Sequence, residues 1–179
     1  MTKQEAKAKI KKYLDGEHIE YRMLNETEGI VPLERIDTIY LSCELEEVIG
    51  RRIETSIRFR EDYLYCQSYY CQPVADKEEK KIKAAIICNW MNHNLNWDCN
   101  TLFQHAYILD EDEGDVYNGF PIRYDLLDEM FDEAMDHILN YSVQQIADVC
   151  IPLIFCLNGK YSYKEFKDYL KSHIMRVRD

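Results

Sequence analysis

The stretch from Ile53 to Cys71 separates its own side chains by polarity. With Glu61 and Asp62 at the tip of a tight hairpin, Phe59 faces Leu64, Ile57 faces Cys66, Thr55 faces Ser68 and Ile53 faces Tyr70. On the opposite side Arg60 meets Tyr63, Arg58 meets Tyr65, Ser56 meets Gln67 and Glu54 meets Tyr69. Strand side chains alternate with a period of two, so a slip of one residue would mix these sets. The clean separation predicts an antiparallel sheet with one face on a core and the other in water.

The remaining pattern supplies the other elements. Ala6, Ile10, Tyr13 and Leu14 recur at helical spacing and predict a helix over 2–14, with Gly16 at its end. Residues 17–36 carry no clear period; 25–29 is turn-like and Pro32 interrupts the residues after it. A strand is expected over 37–46, with Ile39, Leu41 and Cys43 alternating. Asp76 and Glu79 form a capping-box pattern that opens a helix to about Asn94. Its inward seam is expected at Ile82, Ala85 or Ile86, Asn89 or Trp90, and His93. Strands at 101–109 and 116–124 come next, joined by an acidic turn, and Pro121 marks the second as an edge strand or an irregular tail.

The last third is helical by the same criterion. Met130, Phe131, Ala134, Met135, Ile138 and Leu139 share a face. Ser142 with Gln145 and Ser162 with Glu165 have the form of two further capping boxes. Between them Ile146, Cys150, Leu153, Ile154 and Leu157 form a stripe, with a kink expected at Pro152 and an end at Asn158-Gly159. The whole is an α+β fold: an antiparallel sheet packed against helices in the order α-βββ-α-ββ-α(αα).

Composition narrows the class. The 179 residues suit one domain, 1–179. The formal charge is −11, and the segment from Asp110 to Asp136 holds eleven acids against one cation, Arg123. Phosphate-backbone binding needs clustered cations, so nucleic acid is an unsuitable partner. The N-terminal helix is the exception, with Lys3, Lys7, Lys9, Lys11 and Lys12, and would dock on an acidic surface. Seven cysteines with no CxxC and no secretory segment point to a reducing cytoplasm. No apolar run is long enough to predict a membrane span.

The element order resembles the type III secretion chaperone-like fold and, more specifically, the YbjN-domain family of bacterial proteins. The resemblance rests on the Asn-rich helix end IICNWMNHNLNWDCNTLF, the strand and acidic turn HAYILDEDEGDVY, and the helix opening YSVQQIADVCIPLI. Residues 17–36 and the final helix over 162–174 depart from it. It implies a non-catalytic, monomeric or homodimeric protein that binds a protein or peptide as a regulator or chaperone-like adaptor. It brings no catalytic residue, metal or cofactor with it. A small-molecule-binding sensor and an unrecognised enzyme are the alternative classes.

The residues themselves offer one binding surface: Arg58, Arg60, Tyr63, Tyr65 and Tyr69 on the wet side of the hairpin. Arg and Tyr are enriched at binding hot spots, so this side would suit a peptide or an anionic group. The competing reading is a cross-strand cation–π ladder that only stabilises the sheet. Other constellations are weaker. The run 110–115 lacks the spacing of a calcium loop and reads as a solvated turn. Cys66 and Cys71 fall on opposite faces and cannot share a zinc ion. His93, with the neighbouring Asn residues and Cys99, has no base–nucleophile geometry written in its spacing. The acids at 125, 128, 129, 132, 133 and 136 fall on one helical face, either solvated or meeting a basic partner such as the Lys-rich helix.

Overall fold

The computed structural model describes residues 1–24, 37–44, 52–70, 73–95 and 103–173. Six strands form one antiparallel sheet: β1 (Arg22–Leu24), β2 (Thr38–Glu44), β3 (Arg52–Phe59), β4 (Tyr63–Tyr70), β5 (Ala106–Asp110) and β6 (Asp115–Arg123). Their spatial order is β1-β2-β3-β4-β6-β5. The hairpin register is the one that sorts the side chains: Ile53↔Tyr70, Thr55↔Ser68, Ile57↔Cys66 and Phe59↔Leu64 are cross-strand partners. The helices are α1 (Lys3–Gly16), α2 (Glu78–Asn94), α3 (Tyr124–Glu129), α4 (Phe131–Asp136), α5 (Ser142–Leu157) and α6 (Tyr163–His173). The fold is α+β, as its pattern predicts, with a short extra strand, β1, where the sequence has no clear period.

The core lies on one side of the sheet, and two apolar clusters fill it. In one, Ala6, Ile10 and Leu14 of α1 meet Ile39, Leu41, Ile57, Phe59, Leu64 and Phe120 of the sheet. In the other, α2, α5 and α6 meet Ile53, Tyr70, Tyr107 and Val116. A row of polar side chains separates them. The register aligns Thr55, Ser68 and Asn118 across three adjacent strands on the inner face. Thr55 Oγ1 lies 2.9 Å from Ser68 Oγ, which lies 2.9 Å from Ser142 Oγ on α5. Ser142 Oγ also donates to the Ile138 carbonyl at 2.7 Å. Buried hydroxyls with partners fix which turn of the helix faces which strand pair, because leaving one unpaired costs about 1–3 kcal/mol.

Several sequence expectations are corrected by the fold. Ser142 does not cap α5; it is the first residue of that helix, Tyr141 holds the cap position without a side-chain bond, and the Ser142 hydroxyl turns back to the preceding helical turn. The chain stays helical from α4 into α5 through a π-helical turn, His137–Tyr141. This continuous run, Phe131–Leu157, has the length and apolarity of a membrane-crossing helix, but Ile138, Ile146, Val149 and Leu153 are buried in the core. Pro152 lies inside α5, which continues past it to Leu157, and Gly159 takes a φ of 74° just beyond the end. Asp76 does not cap α2; its carboxylate pairs with Lys80 at 2.7 Å, and Lys77 stands at the cap position without a side-chain bond.

The α2 seam is rotated from the expected one. Ala84, Ile87, Cys88 and Met91 face the core, while Ile82 and Ile86 are 57% and 52% exposed. Apolar residues occur on both faces of this helix, so periodicity alone could not choose between them. Strand β6 is internal rather than an edge. Yet β5 pairs with it only as far as Ala106↔Gly119, and Pro121 lies beyond that point. Pro121 thus sits where one flank of β6 is open, consistent with its missing N–H.

The Ser162–Glu165 capping box forms as predicted, with Glu165 N–H donating to Ser162 Oγ at 3.2 Å and Ser162 N–H to Glu165 at 2.7 Å. The expectations at 25–36, at Glu46, at Cys71, at Asp98 and Cys99, and at position 174 lie outside the described residues. At the sheet edge, the Asn92 amide on α2 bonds both backbone groups of Tyr107, accepting from its N–H at 2.7 Å and donating to its carbonyl at 2.8 Å.

Candidate functional site

Strand alternation sends one set of side chains away from the helices. From β2 to β6 this outer set includes Thr38, Tyr40, Glu54, Ser56, Arg58, Tyr65, Gln67, Tyr69, Asp115, Tyr117 and Gly119. Among the described residues, no helix of the two core clusters lies on this side. The tyrosines lean over the sheet instead. Tyr65 crosses the neighbouring Gly119, where a Cβ would come within 2.7 Å of the Tyr65 hydroxyl. A larger residue there would have to push the Tyr65 and Tyr117 rings aside, so Gly119 here serves packing rather than a turn.

The result is a groove of about 260 Å³ along the sheet, with Arg58, Gln67 and Tyr69 on its floor and Tyr40 and Tyr117 beside them. One end holds Glu54 and Arg22. The Arg22 guanidinium lies 3.4 Å from Glu54 and 5.0 Å from the centre of the Tyr40 ring. Tyr69 also donates to Glu54; burial, and then this bond, push its phenol well above the usual range. The other end holds Asp110, Glu113 and Asp115. Asp110 and Asp115 are the last cross-strand pair of the β5–β6 hairpin. Burial first, then the charges of Asp110 and Glu113, push the Asp115 carboxyl up to about 6.

The groove contains polar atoms that nothing in the described chain satisfies: Arg58 Nε, Gln67 Oε1 and Asp115 Oδ1, with Ser56 Oγ beneath. Gln67 is only 7% exposed and Ser56 is fully buried. Native proteins leave few buried polar atoms unpaired, and clusters of them call for an explanation.

Four of the five residues singled out from sequence divide between two clefts, and Arg60 lines neither. Arg58 and Tyr69 line this groove. Tyr63 and Tyr65 line a second, broader cleft of about 1090 Å³ with Lys3, Glu61, Arg123 and Tyr124. Arg60 is exposed, and its contribution is a backbone one: its carbonyl accepts from the Tyr124 hydroxyl at 2.7 Å. The cation–π ladder does not form. Among the described residues, Arg22 over Tyr40 is the cation–π contact of this face, and neither Arg58 nor Arg60 makes one.

The other sequence candidates are dispersed. His93 is exposed and bonds the Asn89 carbonyl one turn back at 2.8 Å. Cys66 is buried on the core side, where burial raises its thiol far out of the reactive range. The Asp110 carboxylate accepts from the backbone N–H groups of Asp112 at 3.0 Å and Glu113 at 3.2 Å, the arrangement of a solvated turn. The acids at 125–136 are exposed, but the break between α3 and α4 divides them over two helices. Lys9 of α1 reaches Asp128 at 3.4 Å and lies 4.4 Å from the centre of the Phe131 ring, so the basic helix does meet this acidic segment.

One cluster has no warning in the sequence. His105, before β5, and His137, opening the π-helical turn, meet through their Nε2 atoms. His105 Nδ1 donates to Asn118 Oδ1 at 2.6 Å, which leaves its Nε2 to accept from His137. Phe103, Phe120 and Tyr141 enclose the pair. Burial pushes both imidazoles down to about 4, and for His137 the neighbouring His105 adds to it. The two lie 32 positions apart, and only the π turn and the strand entry bring them together.

No family model, no curated protein and no solved structure matches this chain.

Proposed function

We propose that this protein is a non-catalytic binding domain whose outer sheet face receives a protein or peptide segment, as a regulator or chaperone-like adaptor in a bacterial cytoplasm. The observation that carries the reading is the groove over Arg58, Gln67 and Tyr69, with its unpaired buried polar atoms. An extended segment laid across the sheet would bring backbone and side-chain donors and acceptors that could complete them. Tyr40, Tyr69 and Tyr117 add wide, stiff contact area at little conformational cost. A YbjN-like, secretion-chaperone-like role agrees with this reading, since that resemblance implies binding of an extended client segment without a reactive centre. Against catalysis, the groove offers no nucleophile with a base beside it, and its tyrosines and arginine bind rather than transfer protons at neutral pH.

The test is affinity capture from a bacterial lysate with the wild-type chain and with Tyr65→Ser/Tyr69→Ser. Loss of specifically captured proteins in the variant supports the reading. Equal recovery, in a variant whose melting curve is unchanged, refutes it.

A further inference from the structure

The two ends of the outer groove differ in a way that names the chemistry of its occupant. At one end, acid and tyrosine already hold a cation of the chain itself, with Arg22 between Glu54 and the Tyr40 ring. At the other end the same materials recur without one. Asp110, Glu113 and Asp115 line it beside Tyr117, and none makes an ion pair with a described residue. Gln67, more than nine-tenths buried, directs an unpaired acceptor oxygen into the same space, and Asp115 Oδ1 is a second buried acceptor there. Unpaired acceptors require a donor, and a crowded set of carboxylates beside an aromatic face favours a positive one. The whole chain carries −11, which favours the approach of a cationic partner in general.

A metal ion would also answer the charge. However, the described His, Cys, Asp and Glu side chains form no group spaced to hold one, and Asp110 is already committed to the turn amides. A guanidinium or ammonium on a flexible stem has no such requirement, because it needs acceptors and a ring within reach rather than a closed polyhedron.

We propose that the Asp115 end of the groove binds a basic side chain, lysine or arginine, of an extended peptide partner. This rests on the sheet-face reading above and gives it a ligand class. The basic side chain enters between Asp115 and Tyr117 and donates to Asp115 Oδ1 and Gln67 Oε1. Its backbone runs along the sheet toward Arg58, whose free Nε–H meets a peptide carbonyl. Arg22 marks the far limit of the site, where the chain supplies its own cation.

The experiment uses two fluorescein-labelled heptapeptides, one alternating alanine with lysine and one alternating alanine with glutamate, titrated with the full chain and read by anisotropy. The lysine peptide should bind, and Glu113→Gln/Asp115→Asn should weaken it at least tenfold. Asp132→Asn/Glu133→Gln, on the exposed acidic face of α4, should change it less than twofold. Removing the crowded charge keeps side-chain shape, so the groove variant should melt no lower than wild type, and a lost fold does not explain lost binding. Absence of lysine-peptide binding overturns the proposal, and so does equal weakening by both variants, which would mean diffuse attraction. A heat of binding with calcium chloride alone that disappears in the groove variant also overturns it in favour of a metal. Preference for the glutamate peptide, lost on Arg58→Gln, overturns the basic side chain while leaving the sheet-face reading intact. If neither peptide responds to the groove variant, to Arg58→Gln or to Tyr117→Ser, both readings fall together.

Discussion

The His105–His137 pair makes the stability of this protein depend on pH in a calculable direction. Both imidazoles are held near 4 in the fold by burial, against an ordinary value near 6.5 in the unfolded chain. Between those values the unfolded chain binds protons that the folded one refuses, so stability is full above about pH 7 and falls as pH drops. From pH 7.5 to pH 5.5 each imidazole contributes a loss of about 1.4 kcal/mol, or about 3 kcal/mol for the pair. Asp115 acts in the opposite sense, because its carboxyl is raised to about 6 and the fold gains by taking up its proton. The shift alone would offset about 0.8 kcal/mol over this range, and since the group is only half-buried, solvent screening reduces that to about 0.5 kcal/mol. The net expectation is a loss of about 2 kcal/mol, a large part of the usual 5–15 kcal/mol of a domain.

Urea unfolding followed by circular dichroism at pH 7.5, 6.5 and 5.5 measures this loss, and the range stays above the sequence pI of about 4.9. In His137→Phe the ring packs among Phe103, Phe120 and Tyr141 but cannot titrate, so the loss should fall to about half or less. A wild-type curve that changes by less than 0.5 kcal/mol, or a variant that loses as much as the wild type, would refute the argument.

Three further outcomes are expected. Gly114→Ala should lower stability by about 1–3 kcal/mol in a thermal melt, because Gly114 has a φ of 76° and a Cβ there would come within 2.4 Å of the Ala75 carbonyl oxygen. Asp115→Asn alone should raise stability at pH 7.5 by about 1 kcal/mol in urea, and the gain should shrink at pH 5.5, where the wild-type carboxyl is largely protonated. Met91→Ala should cost about 2–4 kcal/mol and Ile86→Ala under about 1 kcal/mol in the same assay, because Met91 is fully buried and Ile86 half-exposed.

Those contrasts mark where the sequence was readable. The β3–β4 register could be derived because each cross-strand pair had to agree in polarity, and one slip would have placed Arg58 in the core. Helix α1 was legible for the same reason, since Ala6, Ile10 and Leu14 are buried while its far side carries Gln4, Glu5, Lys9, Lys12 and Asp15. Helix α2 was not: Ile82 and Ile86 add an apolar patch beside the stripe of Ala84, Ile87, Cys88 and Met91, and the packing of α2 on β5 and α5 decides which is buried. Ser142 has the spacing of a cap, but its hydroxyl meets a partner 74 residues away, Ser68, and local spacing carries no trace of that. The candidate groove was half visible. Arg58 and Tyr69 lie on the hairpin whose register was clear, whereas Arg22, Tyr40, Asp115 and Tyr117 join it through strand order. The signal for Asp115 and Tyr117 was present in the alternation of β6, and it needed the β4–β6 pairing to place it beside Arg58.

The Asn92 amide gives the sheet a property beyond its own stability. An edge strand offers a row of free backbone donors and acceptors, which is a template for a second chain and the starting point of strand-by-strand aggregation. At Tyr107, the second residue of β5, both groups are occupied by one side chain from α2, which imitates the next strand for a single residue and then stops. A chain approaching this margin would have to displace that amide before it could pair at Tyr107, so one asparagine guards the start of the edge strand.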